Sequence, residues 1–449
     1  MATSKIIAES LDSMLSQPSK LIIHRLSTFF EGKTFSIEKH RIKLKSSNGV
    51  PNPLVDFCHD QNLSPEETIL LLVALAPHVH ADFYDRIIQS SINNPGDFPQ
   101  IGGVRGKQFR GFIPTGETVL FLLGGQDLQK RIEVQELFSE DHFFAKKRIL
   151  WLDDPIEGEP QMSARILLSQ EYIDSFTRGK ISRPRFGMRF PAQLTETKME
   201  WSDLILKNET LEQIKELEIF LRHGHVLMND LGMHKKLKPG YRVLFHGPPG
   251  TGKTLTASLL GKYTGRSTYK IDLSMVVSKY IGETEKNLAN LFAKAENKDW
   301  ILFFDEADAL FGKRTNVKDA HDKYANQEVS YLLQRVENYN GLVILATNFL
   351  SNIDDAFKRR FQSIIQFSFP DADERLRIWK NAFPLELQLE KSLKLPAIAQ
   401  RYELSGAEIM NVVQYCCLQV LERGEQVVLQ NDLLAGIKKE FLKEGKILN

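Results

Sequence analysis

Cysteine is scarce: three in 449 residues. Cys58 stands alone and Cys416 and Cys417 are neighbours, a distribution with neither zinc-ligand spacing nor a disulfide framework. The expected thiols are reduced and mostly buried. No charge sign dominates, since 58 basic residues face 57 acidic ones and the formal net charge is +1. Such a balance supplies no global field for a polyanion or an anionic membrane. Long apolar runs are also missing. Ile69 to Ala76 is the longest, far below the ~20 residues of a spanning helix, and the first residues lack the apolar core of a signal peptide. A soluble, cytoplasmic protein is expected. There is no repeat of fixed period, and no His-Glu-x-x-His that would mark a fused zinc protease.

The composition is ordinary for globular proteins, with 42% hydrophobic and 26% charged residues, and the length suggests roughly three domains. Two regions differ in pattern. Residues 1–177 read as a mixed, mainly helical substrate or adaptor region. Ser64 and Glu67 predict a capping box opening a helix over 64–92, broken or kinked at Pro77. The glycine-punctuated stretch 101–124 predicts turns and one strand at Val119–Leu123, and helices are expected at 128–138 and 163–177. Residues 178–198 then form a basic linker. Its segment 178–190 carries five basic and no acidic residues. This is either a solvated interdomain strip or a contact surface on which Phe186 and Phe190 stack.

From residue 199 short apolar runs alternate with amphipathic stretches. Arg242–His246, Thr268–Ile271, Trp300–Phe304, Leu342–Ala346 and Ile364–Phe367 read as strands, with helices at 253–263, 284–297 and 325–338. The alternation predicts an α/β fold with a parallel sheet over 199–370, followed by a nearly all-helical lid over 371–449.

Three motifs carry chemistry. Gly247-Pro248-Pro249-Gly250-Thr251-Gly252-Lys253-Thr254, followed by Leu255, satisfies G-x-x-x-x-G-K-[ST] between a strand and a helix. Glycines let backbone N–H groups converge on phosphate oxygens, Lys253 is placed for the β and γ phosphates, and the Thr254 hydroxyl for Mg2+. The apolar strand Ile301–Phe304 ends in Asp305 and Glu306, one carboxylate for Mg2+ through water and one to polarise the attacking water. Asn348 follows the next strand, where an amide reaches both a γ-phosphate and that water.

These residues resemble the AAA+ ATPases, in the branch that remodels proteins, over roughly residues 199–440. The resemblance implies further assignments. Met199-Glu-Trp-Ser-Asp203-Leu204 is similar to the segment that lines the adenine pocket, although Ile205 and Leu206 stand where the family has glycines. Lys279, Tyr280 and Ile281 resemble a pore loop that grips a polypeptide, and 312–324 forms either a second polar pore loop or a plain charged loop. Arg359 and Arg360 resemble arginine fingers reaching a neighbouring subunit, with the choice between them open. Gly406 and Ala407 resemble the lid-helix start beside the adenine. ATP, Mg2+, a homo-oligomeric ring of six and a protein substrate are implied; nucleic acid and membrane are not. The wording of the core looks most like bacterial ATPases found with phage-tail-like contractile injection systems. A nucleic-acid-linked motor or loader is the alternative, and an ATP-binding switch without turnover is a third reading that the intact Asp305, Glu306 and Asn348 oppose.

Overall fold

The computed structural model describes residues 2–31, 52–92, 98–180, 184, 186–187, 190–276, 283–296, 298–308, 320–443 and 445. The chain divides into two compact units, Met1–Pro184 and Arg185–Asn449. Among the described residues no helix is long and apolar enough to cross a membrane.

The first unit is mainly helical: α1 (Ala2–Glu31), α2 (Pro53–Asp60), α3 (Pro65–Val79), α4 (Phe83–Ser91), α5 (Gly116–Leu123), α6 (Leu128–Gln135), α7 (Phe143–Lys146) and α8 (Gln170–Arg178). Two short antiparallel pairs accompany them, β1 (Val104–Arg105) with β2 (Phe112–Ile113) and β3 (Leu150–Leu152) with β4 (Ile166–Leu168). The expected capping box opens α3: Ser64 Oγ accepts from the Glu67 N–H at 3.1 Å while Glu67 accepts from the Ser64 N–H at 2.7 Å. The helix runs two residues past Pro77 before stopping at Val79.

Two expectations fail here. Val119–Leu123 is helical, not a strand. Thr115 caps the helix through Thr118, and all five residues are buried. A helix buried all round shows no 3.6-residue alternation, so its apolar run imitates a core strand. The helix expected over 163–177 begins only at Gln170, because Ile166–Leu168 pair with β3.

The second unit is built on one six-stranded sheet in the order β10-β6-β9-β8-β7-β5. Its parallel strands are β6 (Tyr241–His246), β7 (Thr268–Ile271), β8 (Ile301–Phe304), β9 (Leu342–Thr347) and β10 (Ser363–Gln366). β8 and β9 are buried throughout, as central strands covered on both faces must be. Around the sheet lie α9 (Asn208–His225), α10 (Lys253–Thr264), α11 (Leu273–Val276), α12 (Glu283–Ala295), α13 (Ala320–Asn338) and α14 (Asp355–Lys358).

The basic linker needs correcting at its C-terminal part. Ala192–Leu194 form β5, an antiparallel edge strand on β7. Phe190 is no stacking platform: it is 1% exposed, edge-on to Tyr269 and Trp300 in the sheet's core. Phe186, by contrast, is 51% exposed. The second unit therefore takes in residues before 199.

The lid contains α15 (Ala372–Ala382), α16 (Leu395–Arg401), α17 (Gly406–Arg423) and α18 (Gln430–Lys443) around Trp379, Ile409, Cys416 and Leu433. A short parallel pair, Gln388–Leu389 with Val427–Val428, interrupts the expected all-helical run. Burial pushes the Cys58 thiol up to about 11 and the Cys416 thiol up to about 12. Both remain protonated and unreactive near neutrality.

Candidate functional site

The loop after β6 is shaped by close approach. A Cβ on Gly247, whose φ is +144°, would stand 1.9 Å from the Phe367 carbonyl oxygen. One on Gly250 would strike Ser405 Oγ at 2.7 Å and Ala407 Cβ at 2.9 Å. Glycine is required at both places because sheet and lid press on the loop. Thr251 Oγ1 donates to the Pro248 carbonyl at 2.8 Å and closes the turn. Gly252 then precedes α10, whose first residue is Lys253.

Lys253 is 8% exposed, and its ammonium donates to the carbonyls of Gly247 at 2.6 Å and Pro248 at 2.9 Å, and to Asn348 Oδ1 at 3.0 Å. Burial lowers its pKa, opposed by Asp305 and Asp308. The loop lysine and the asparagine after β9 thus meet directly, although 95 residues separate them.

Asp305 follows β8. Its Oδ2 lies 2.6 Å from the Lys270 ammonium and its Oδ1 accepts the Glu306 N–H at 3.1 Å. Glu306 has φ +52°, the left-handed region that a side chain disfavours. The chain recovers at once: the Ala307 N–H donates to the Ala346 carbonyl at 2.8 Å. Thr347 Oγ1 donates to Asp308 Oδ1 at 2.9 Å, tying the ends of β8 and β9. All these groups sit at the carboxyl edge of the parallel strands, where open α/β sheets receive ligands.

A cavity of about 710 Å³ opens over that edge. Asp203, Leu204, Pro249, Gly250, Thr251, Gly252, Lys253, Thr254, Leu255, Asp305, Glu306, Asn348, Gly406 and Ala407 all line it. Gly247 and Pro248 do not, and instead hold Lys253 through their carbonyls. Ile205 and Leu206 are each 8% exposed and line the same wall. Ala407 donates its N–H to the Gly250 carbonyl at 3.2 Å, joining α17 to the loop.

Some contributors escaped sequence reasoning. Ile378, Asn381 and Ala382 on α15, with Met410 on α17, complete the wall opposite the loop. Their spacing of three and four residues places the α15 trio on one helical face, a signal that the sequence contained. Lys270 carried no signal, being one lysine within a strand.

The remaining candidates lie apart. Arg359 and Arg360 follow α14 and do not line the cavity. Arg360 pairs with Glu337 at 2.6 Å, which also takes Lys238 at 2.5 Å; Arg359 is exposed. Lys279, Tyr280 and Ile281 fall outside the described residues, as do 312–319 of the second loop.

The donor set suits a nucleotide and Mg2+. Backbone N–H groups, the start of a helix and one lysine meet the needs of phosphate. One hydroxyl and one carboxylate, Thr254 and Asp305, suit an ion that keeps much of its water.

Residues 243–369 match the family model described as the ATPase family associated with various cellular activities (AAA). The chain is 30% identical over 248 residues to a proteasome-activating nucleotidase of Saccharolobus solfataricus, covering 53% of this chain and 62% of the relative. It is 32% identical over 240 residues to the proteasome-activating nucleotidase of Aeropyrum pernix, covering 51% and 57%. A 26S proteasome regulatory subunit 6B homolog of Dictyostelium discoideum is 30% identical over 246 residues, covering 53% and 60%. The chain spans about six-tenths of the length of these curated relatives. Its second unit carries an AAA ATPase domain related to theirs.

Proposed function

We propose that the chain is an Mg-dependent ATPase that works as a ring, six subunits in the implied assembly, and remodels or threads protein substrates. Support comes above all from the convergence of Lys253, Asp305, Glu306 and Asn348 on one cavity at the sheet edge. Thr254 and Asp305 hold Mg2+, which neutralises charge on the phosphates when bound. Lys253 binds the β and γ phosphates, and the loop N–H groups orient them. Glu306 takes a proton from the attacking water, and Asn348 holds that water by its amide. Asp203, Leu204, Ile205, Gly406 and Ala407 enclose the base.

Arg359 and Arg360 sit outside the cavity, so an arginine reaching the γ-phosphate serves a neighbouring subunit, worth ~10³–10⁵ in rate. Lys279, Tyr280 and Ile281 grip the substrate chain. The relatives are named for proteasome activation and regulation, in keeping with a protein substrate. Service to a contractile injection system rests on the wording of the core alone. Co-purification with tube or sheath proteins would support it, and their absence from the isolated complex would remove it.

The deciding experiment compares ATP turnover with unfolded protein and with single-stranded DNA. Stimulation by protein is expected; stimulation by DNA alone would favour the nucleic-acid motor instead. Glu306→Gln retains bound ATP with negligible turnover, and normal turnover would strip Glu306 of its role.

A further inference from the structure

Asp305 is engaged on both of its oxygens: Oδ1 by the Glu306 N–H at 3.1 Å and Oδ2 by the Lys270 ammonium at 2.6 Å. Lys270 lies on β7 with Phe303 of β8 as its register partner, two residues short of Asp305. The pair is not sealed in the core: the Lys270 side chain is 43% exposed and that of Asp305 28%. An ion pair this exposed adds little to folding, so stability gives little reason for a lysine here. Its electrostatic consequence is larger, because the carboxylate it neutralises is the one suited to a divalent cation.

The surrounding charges sharpen this. Asp305, Glu306 and Asp308 gather at the end of β8, where Lys253 and Lys270 oppose them. Lys253 is spoken for by the glycine-loop carbonyls and Asn348, and Asp308 by Thr347. Among the described residues Lys270 is the cation paired with Asp305.

We propose that Lys270 is the built-in counter-cation of Asp305 and sets how strongly Mg2+ contributes to nucleotide binding. It aims Asp305 while holding one oxygen that the hydrated ion must share. It is a positioning residue, acting through Asp305. The inference rests on the cavity being the Mg-ATP site proposed above.

The charge arithmetic gives a signature. Removing Lys270 makes the site one unit more negative. Uncomplexed ATP, highly anionic, then binds less well, whereas the divalent ion binds better. The diagnostic quantity is the ratio of the nucleotide Kd in EDTA to that in saturating Mg2+, read on the full chain by anisotropy of a fluorescent, non-hydrolysable ATP analogue. Lys270→Met should raise this ratio roughly threefold to tenfold at low salt, with Lys270→Gln doing the same should the first variant misfold. Lys270→Arg should hold the wild-type ratio. In an Asp305→Asn background Lys270→Met should raise the ratio clearly less than it does in the wild type.

An unchanged or lowered ratio overturns the proposal. A lysine that touched phosphate directly would weaken both Kd values together and leave the ratio where it was. Absence of any nucleotide signal in the wild-type chain sinks the ATP site itself, and this inference with it, a result distinct from binding with an unaltered ratio.

Discussion

The two ends of the cavity are made of different materials. At the glycine-loop end the walls are backbone, held by glycines that tolerate no Cβ, and the side chains of Lys253 and Asp305, fixed by hydrogen bonds of 2.6–3.1 Å. At the opposite end they are apolar side chains from two separate stretches, Leu204 to Leu206 and the lid helices α15 and α17. Those two stretches are joined by a 3.4 Å hydrogen bond from Asn381 Nδ2 to the Ser202 carbonyl. One end recognises by fixed donors and charge, the other by shape. The first should fail abruptly when altered and the second by degrees.

The largest expected effect tests the abrupt end. Gly247→Val places a branched side chain where a first carbon already meets the Phe367 carbonyl at 1.9 Å. A loss of ~3 kcal/mol or more in folding free energy is expected, together with loss of nucleotide binding, both read by thermal melting with and without Mg-ATP. Near-wild-type melting would break the contrast.

Next comes Glu306→Gly. Turnover should vanish while the left-handed strain at φ +52° is relieved. A rise of ~2–4 °C in Tm is expected, whereas Glu306→Ala should lose turnover without the gain. Equal melting of the two variants would show that the backbone there stores nothing.

The gradual end is sharpened by Asn381→Ala. Removing one long hydrogen bond between lid and opening segment should cost ~0.5–1 kcal/mol. That appears as a KM increase of roughly twofold to fivefold with kcat retained. A collapse in kcat would place Asn381 with the rigid end.

The smallest effect is in pH. Burial first, then Lys253 and Lys358, lowers the His246 pKa below its ordinary 6.5. The unfolded chain therefore takes up the proton first, and this contribution is complete above pH 6.5 and lost as the pH falls through the folded value. His246→Gln should flatten the acid limb of Tm against pH by about 1 °C.

That the glycine loop, Asp305, Glu306 and Asn348 would meet at one sheet edge was legible in the sequence because the signals are local: Gly247 to Thr254 are contiguous, and Asp305, Glu306 and Asn348 each follow an apolar strand. The shape end is assembled from residues nearly two hundred positions apart, and no local pattern joins Leu204 to Asn381. β5 went unread because three residues on a sheet edge carry no periodicity of their own, and its neighbour Phe190 was hidden among basic residues. In the first unit the capping box at Ser64 was plain, since it needs only two residues at a fixed offset. Val119–Leu123 misled because full burial erases the distinction between helix and strand. Lys270 acquires meaning only when parallel pairing carries it alongside β8.

The bond from the Ala407 amide to the Gly250 carbonyl has a mechanical consequence. In the proposed ATPase it would act as a clutch between the lid and the glycine loop. Any swing of the lid beyond the reach of one hydrogen bond would disengage α17 from the glycine loop, so that in the proposed cycle letting go of spent nucleotide and the stroke of the lid would be one event.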